Sequence, residues 1–319
     1  MLGPWRATLP AIRLIHLVAA REAEYRDQKY SHEIVRRQPS LEFTVVFRRH
    51  SSIGYDASVR IDAHQHFWDP DLFPYPWMPA SLRRRFLPGD LIPVLDRNRF
   101  DGSVAVQAAT VMEETHWLLD LASRNPSILG VVAWVDLTDP NLGRTLDSLQ
   151  RHEKFKGVRH PVHDEPDSRW LLREDVLRGL KELASRGLPY DLLLRPVHLP
   201  LVHELAERVP GLRFVIDHMA KPEEFDEWAR YMEQIARIPQ VYVKLSGLYV
   251  EPSRMRPYVG HLIRHFSADR LMFGSDWPVC MLNGSWKLVL ASFTQAHGAL
   301  AKGDHPKIVG ETAAHFYRL

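Results

Sequence analysis

The strongest constraint on the fold is a rhythm that begins near residue 60 of this 319-residue chain. Short runs of apolar and β-branched residues alternate with longer stretches that have the 3.6-residue period of amphipathic helices. The short runs are too uniformly apolar to have one solvated face, which is typical of parallel strands covered on both sides. The predicted strands are Val59–His64, Ser103–Ala108, Gly130–Val135, Gly157–His160, Tyr190–Leu194, Arg213–Asp217, Val241–Leu245 and Leu271–Gly274.

Helical patterns separate most of these strands. They are Glu114–Arg124, Leu142–His152, Arg173–Arg186, Leu199–Arg208, Glu223–Arg237, Met255–His265, Trp286–Leu300 and Pro306–Tyr317. Eight strand–helix units over residues 60–319 predict an α/β protein with a (β/α)8 TIM-type barrel. The alternative, a doubly wound open sheet, would have a glycine-rich phosphate turn after its first strand, where this chain has His64–Gln65–His66. The first connection, 67–99, is predicted to be a long loop of the kind that often forms a lid.

The first 59 residues lack this rhythm and carry eight arginines against one lysine. We interpret residues 1–59 as a poorly ordered N-terminal extension outside the barrel. An arginine-bearing amphipathic start is also typical of an organelle transit segment. Upstream sequence read through from an early start codon is a third interpretation.

Composition restricts the partners and the compartment. The formal net charge is +2, so bulk electrostatics gives no reason to expect a nucleic-acid or membrane partner. No apolar run reaches the length of a membrane span. The single cysteine, Cys280, excludes an internal disulfide and fits a reducing compartment, from which we expect a cytoplasmic protein. Whether the chain forms a homo-oligomer stays open.

Polar residues recur at the predicted C-terminal ends of the strands, where barrel enzymes carry their reactive groups. The i, i+2 spacing of His64 and His66 places both imidazoles on one face of a strand. Such a pair suits either a metal ion such as Zn²⁺ or two donors to an oxyanion. A chance pair or a capped strand end is the alternative, and His218 and Asp276 at matching positions argue against it.

Asp276 follows a fully apolar strand, where a buried carboxylate is costly unless it is paired or coordinated. It is predicted to be a general base that takes a proton from water, with a helix N-cap before Pro278 as the alternative. Arg159 and Lys244 each interrupt a strand, and we expect them to bind a carboxylate or hydroxyl-rich substrate rather than form surface ion pairs. Neither a G-x-S-x-G elbow nor a phosphate-binding loop nor HExxH is evident.

Several segments together resemble a known family. The chain is similar to the amidohydrolase superfamily, and within it to the metal-dependent-hydrolase branch that includes the L-fuconolactone, L-rhamnonolactone and pyrone-dicarboxylate lactonases. The likeness runs from about residue 60 to the C-terminus. The segments that carry it are DAHQHFW at 62–68, KGVRH at 156–160, FVIDHMAKP at 214–222, VYVKLSGL at 241–248, MFGSDWPV at 272–279 and the final GETAAHFYRL.

The resemblance implies a role for each matching residue. Asp276 would activate water, while the histidines would bind metal or, as in metal-free members, the substrate. Arg159 matches a substrate-binding arginine. With the residues chosen from their positions at strand ends and in the first connection, the expected site has catalytic Asp276 and His218, metal ligands His64, His66, His218 and Asp276, and substrate-binding Arg159, Lys244, Gln107, Trp68 and His198.

The sequence also departs from the superfamily's two-metal pattern. Its fourth strand has Gly157–Val158–Arg159 where a bridging carbamylated lysine would be expected, and its fifth strand lacks a terminal histidine. We therefore expect at most one divalent metal, zinc being the candidate, or a metal-independent site. The functional hypothesis is a hydrolase that opens a sugar-derived lactone. The alternatives are a decarboxylase of the same superfamily acting on an aromatic or related carboxylate, and a non-catalytic binding barrel.

Overall fold

In the computed structural model, which describes residues 58–247, 252–296 and 303–319, eight strands form one sheet in chain order. Every neighbouring pair is parallel. The predicted TIM-type barrel is thereby confirmed, whereas residues 1–57 of the predicted extension lie outside the described residues. The strands are β1 Ile61–Gln65, β2 Gly102–Val106, β3 Ile128–Ala133, β4 Phe155–His160, β5 Tyr190–Leu192, β6 Phe214–Ile216, β7 Val241–Leu245 and β8 Leu271–Phe273.

The barrel closes between β1 and the segment that follows β8. The backbone N–H of Asp276 donates to the carbonyl of His64 at 2.8 Å, and the N–H of His66 donates to the carbonyl of Trp277 at 2.7 Å. The buried Asp62 carboxylate reinforces this closure by accepting the backbone N–H of Ser275 at 2.8 Å. Closure of the sheet therefore places Asp276 directly beside the two histidines of β1.

Helices follow the strands around the sheet. One of them, α1, lies inside segment 67–99, where the sequence predicted only a loop. Pro88 at its start and Pro93 in its interior obscure the helical pattern, although the Asp90 carboxylate accepts the backbone N–H of Leu87 at 2.9 Å and supports the first turn. The helices are α1 Pro88–Arg97, α2 Met112–Arg124, α3 Leu142–Leu149, α4 Glu174–Ser185, α5 Leu201–Arg208, α6 Phe225–Ile235, α7 Pro252–Phe266, α8 Trp286–Ala296 and α9 Thr312–Tyr317.

Two sets of buried residues, which we call the apolar side and the charged side, fill the barrel. The apolar side is the part of one hydrophobic cluster that comes from β1, β2 and β3, and the same cluster also includes Val215 of β6, Met272 of β8, and Phe316 and Tyr317 of α9. On the charged side, β4, β5 and β7 and the end of β6 contribute ionisable residues. The apolar side comprises Ile61, Ala63, Val104, Val106 and Val132, and the charged side Arg159, Asp191, Asp217 and Lys244, all of them buried.

The described ranges contain no helix that is long and apolar enough to cross a membrane.

Candidate active site

Four side chains predicted to form the site meet at the C-terminal end of the barrel. The Nε2 atoms of His64 and His66 lie 3.2 Å apart. Asp276 Oδ1 lies 3.1 Å from Nε2 of His66 and 3.7 Å from Nε2 of His64, while Asp276 Oδ2 lies 3.9 Å from Nε2 of His218. All four residues are buried. The structure thus brings together one carboxylate and three imidazoles that are separated by up to 212 positions in the chain.

Two of these side chains come from a β-strand, and the other two come from residues with left-handed backbone conformation. His64 and His66 come from β1, whose pairing with β2 shifts register between Asp62 and Gln65. His218 and Asp276 instead have φ values of 53° and 55°, in the left-handed region. This conformation costs a non-glycine residue roughly 1–2 kcal/mol and persists only where surrounding contacts hold it.

The left-handed backbone at His218 continues through Lys221, giving four such residues in a row. The N–H of Lys221 donates to the carbonyl of His218 at 2.8 Å, and the indole of Trp228 donates to the carbonyl of Met219 at 2.7 Å. Gly247 passes so close that an added Cβ would lie 3.1 Å from the Cβ of His218. These contacts hold the turn that presents His218.

The hydrogen bonds of the imidazoles restrict where their protons lie. Nδ1 of His66 is 2.8 Å from the carbonyl oxygen of Val106, which can only accept, so this nitrogen carries a proton. When the ring is neutral, its Nε2 therefore presents a lone pair. His218 Nδ1 bonds the hydroxyl of Ser246 at 2.8 Å, which holds its ring across the site.

Burial controls the ionisation of the site. It lowers the pKa of His218 to about 4, against the opposing effect of Asp276, and it lowers the pKa of His64 well below its ordinary value. Both rings are therefore neutral at pH 7. Burial would raise the pKa of Asp276, but the surrounding histidines, His218 foremost, hold that pKa below its usual value. An ionised carboxylate thus faces neutral imidazoles, the protonation state that a metal ion requires of its ligands.

The donor atoms of His64, His66 and Asp276 fit one metal ion. They lie within 4.8 Å of one another, and their separations are 3.2, 3.1 and 3.7 Å. Tetrahedral Zn²⁺ with bonds of about 2.0–2.2 Å requires ligand atoms roughly 3.3 Å apart. Three protein ligands with a fourth position open is the pattern of catalytic rather than structural zinc.

A second group of donor atoms, from His64, Asp217 and His218, lies next to the first. Lys244 already supplies a positive charge there, because its Nζ is 3.1 Å from both His64 Nδ1 and Asp217 Oδ1. The Lys244 ammonium would repel a cation held by this second group, whereas the number of metal ions stays a prediction.

Arg159 and Lys244 were predicted to contact substrate, and the structure pairs both with buried acids. Arg159 donates to Asp217 Oδ2 at 3.1 Å, and its other amino group donates to the backbone and side-chain oxygens of Gln107. Lys244 is fully buried, with Asp191 Oδ2 at 2.5 Å. Their role as substrate contacts stays a prediction. Asp191 was not among the predicted site residues. Its position within the apolar run Tyr190–Leu194 nevertheless indicates a buried carboxylate, which requires a charged or hydrogen-bonding partner.

Two further predicted substrate contacts, Trp68 and His198, stand outside the group of four central side chains. Trp68 is fully buried, its ring is stacked 6.3 Å from that of His66, and its indole N–H donates to the carbonyl of Arg84. Trp68 therefore packs against the ring of His66. His198 accepts the backbone N–H of Arg195 at 3.1 Å, and no contact within the described residues joins it to the central groups.

Comparison with known proteins assigns this barrel to a family. The amidohydrolase family model matches residues 61–319, the full extent of the eight strands and their helices. The chain belongs to this family and is a hydrolase, which confirms the resemblance seen in the sequence.

Individual relatives narrow the comparison. The chain is 37% identical over 277 residues to an L-fucono-1,5-lactonase of Burkholderia ambifaria, covering 82% of this chain and 96% of that protein. It is 35% identical over 287 residues to an L-fucono-1,5-lactonase of Burkholderia multivorans, covering 82% and 97%. A crystal structure of an amidohydrolase from Burkholderia multivorans with bound zinc aligns with a TM-score of 0.77 and 34% identity, over 82% of this chain and 100% of that chain.

Proposed function

We propose that the protein hydrolyses a sugar-derived lactone, with water attacking the carbonyl carbon of the ring. The observation that carries this proposal is the buried, ionised carboxylate of Asp276, which is shared between His64 and His66 on one side and His218 on the other. The two curated L-fucono-1,5-lactonases, which the chain matches over nearly their whole length, support an aldonolactone as the substrate class.

Asp276 acts as the base in this reaction. It takes a proton from the attacking water and returns it to the ring oxygen when the acyl–oxygen bond breaks, so that a hydroxy acid leaves. Its low pKa keeps it ionised but makes it a weak base, so the water needs further activation. A Zn²⁺ ion bound by His64, His66 and Asp276 would supply this by lowering the pKa of water and polarising the carbonyl.

The neutral imidazole of His218 donates a hydrogen bond to the carbonyl oxygen of the lactone. With Nδ1 accepting from the Ser246 hydroxyl, Nε2 carries the proton and donates to the oxygen on which negative charge develops. Such a donor strengthens its hydrogen bond as the tetrahedral intermediate forms and therefore stabilises the transition state more than the substrate.

Two exposed cationic side chains near the C-terminal ends of the strands could bind the carboxylate that the reaction produces. Arg195 follows β5 and Lys221 follows β6, and both are exposed. Burial and, after it, the charge of Lys221 lower the pKa of the nearby His163 to about 3. We assign Lys221 and Arg195 to the product carboxylate, with Arg suited to a two-pronged contact.

The test is a screen of aldonolactones in which acid release is followed with a pH indicator, with and without a chelator. Asp276→Asn is expected to reduce turnover by about 10²–10⁴-fold, the usual contribution of a general acid–base group, without loss of folded protein. Asp226→Asn, the same change at an exposed position on α6, should keep full activity. Unchanged lactone opening by Asp276→Asn would refute the assignment, and CO₂ release from an aromatic carboxylate would favour the decarboxylase.

A further inference from the structure

A row of buried polar contacts joins the last turn of the C-terminal helix to the active site. The hydroxyl of Tyr317 donates to both carboxylate oxygens of Asp191, at 2.9 and 2.8 Å. Asp191 pairs with Lys244 at 2.5 Å, and Lys244 lies 3.1 Å from both Asp217 Oδ1 and His64 Nδ1. We call Tyr317, Asp191, Lys244 and Asp217 the axial row, and each is at most 2% exposed.

Stability by itself does not account for the axial row. Barrel interiors are normally filled by layers of branched apolar side chains. Replacing a buried ion pair by well-packed apolar residues is often neutral or even stabilising, because the pair must offset the desolvation of both charges. The chain nevertheless places two acids and a lysine in this position, and their contacts end on one atom of the active site.

That atom is Nδ1 of His64. Asp217 Oδ1 lies 3.2 Å from it and can only accept a hydrogen bond, while the Lys244 ammonium at 3.1 Å can only donate. The partner of Nδ1 decides whether Nε2, which faces His66 and Asp276, presents a proton or a lone pair. The position of Lys244 between Asp191 and Asp217 therefore influences the orientation and the tautomer of His64.

We propose that Tyr317, Asp191 and Lys244 are positioning residues for the active site. They hold the Lys244 ammonium against Nδ1 of His64 and beside Asp217, so the last turn of α9 sets the geometry of a site whose substrate it does not touch. This inference rests on the proposed function only for its kinetic consequence, since the position of His64 can be measured without substrate.

Tyr317→Phe is the sharpest variant. It removes only the hydroxyl that binds Asp191 and leaves the ring in the apolar cluster with Phe316. Tyr242→Phe is the matched control, because its ring also packs on Phe316, with centroids 4.7 Å apart, but it lies outside the axial row.

The primary measurement is the ¹⁵N resonances of the His64 imidazole in the full-length protein, assigned by their loss in His64→Gln. We expect Tyr317→Phe to shift them and Tyr242→Phe to leave them in place. We further expect Tyr317→Phe to reduce kcat for lactone opening, or the affinity for added Zn²⁺, by about 10–100-fold with little change in KM, as for other groups that orient a metal ligand.

Unchanged His64 resonances and unchanged kcat in Tyr317→Phe, with only a loss of thermal stability, would overturn the proposal. Shifted resonances in a protein that opens no lactone would support the positioning role and refute the proposed function. Asp191→Asn gives a second variant, in which the same shifts are expected to be larger because the contact with Lys244 is weakened directly.

Discussion

The apolar and charged sides of the barrel show two ways of filling one buried space. Ile61, Val104 and Val132 on the apolar side need only a shape that excludes water, and their stabilisation grows with the area that they bury. Arg159 and Lys244 on the charged side must have Asp191 and Asp217 in place, because an unpaired buried charge is strongly unfavourable. The charged side borders the four central groups of the site, so the more demanding packing lies where function requires fixed geometry.

The two acids of the charged side are not equivalent. Burial raises the pKa of both, but Lys244, His64 and Arg159 together more than reverse this for Asp217, whose pKa lies well below its ordinary value. For Asp191, burial raises the pKa, the charge of Lys244 lowers it and the charge of Asp217 raises it. The result is a pKa of about 6. Asp217 is therefore the ionised centre on which the charged side depends.

The largest expected effect on stability comes from removing the negative charge of Asp217. Asp217→Asn should lower the free energy of unfolding by about 3–5 kcal/mol, because Lys244 and Arg159 lose the charge that compensates them. Urea denaturation measures the change, with Asp226→Asn on the surface as the control for the same chemical replacement. A loss below about 1 kcal/mol would contradict the distinction between the two sides.

Within the described part of the chain, one buried carboxylate, that of Glu114, has no cation in an ion pair with it, and it provides a second test of the comparison. Glu114 of α2 is fully buried, and its Oε2 accepts the backbone N–H groups of Ala108 and Ala109 at 2.9 and 2.8 Å. Burial raises its pKa from 4.5 to about 7, the opposite direction from Asp217. Because the folded-state pKa is raised, the associated stability is fully present below about pH 4.5 and is lost as the pH rises through 7.

Glu114→Gln cannot ionise and should lack this dependence. Relative to the wild type, the variant should gain about 3 kcal/mol in free energy of unfolding between pH 4.5 and pH 9, since one pKa unit corresponds to about 1.4 kcal/mol. Urea titrations across this range measure the difference between the two proteins. Parallel pH profiles would show that Glu114 does not titrate in this way.

The smallest effect is expected on the apolar side. Ile61→Val removes one methylene group from the cluster and should cost about 0.5–1.5 kcal/mol with unchanged turnover. Chemical denaturation and lactone kinetics on the same preparation test both statements. A large fall in kcat would mean that the apolar side also positions the site.

The sequence predicted the elements whose pattern is local. Uniformly apolar runs and helical periods are properties of neighbouring residues, so the eight strands and their order could be predicted, and with them the strand ends that carry His64, His66, His218 and Asp276. Helix α1 was missed because Pro88 and Pro93 disguise its period. The roles of the site residues stay predictions that the proposed variants test.

The tertiary structure decided what depends on contacts between distant segments. Lys244 and Asp191 are separated by 53 positions and Tyr317 and Asp191 by 126, so no local pattern pairs them. The left-handed backbone of His218 and Asp276 is likewise intrinsically unfavourable and exists because the surrounding barrel holds it. The sequence therefore determines which residue types stand at the strand ends. Their partners, protonation and orientation depend on the tertiary structure, because closure of the barrel brings charges from distant segments together in one low-dielectric interior.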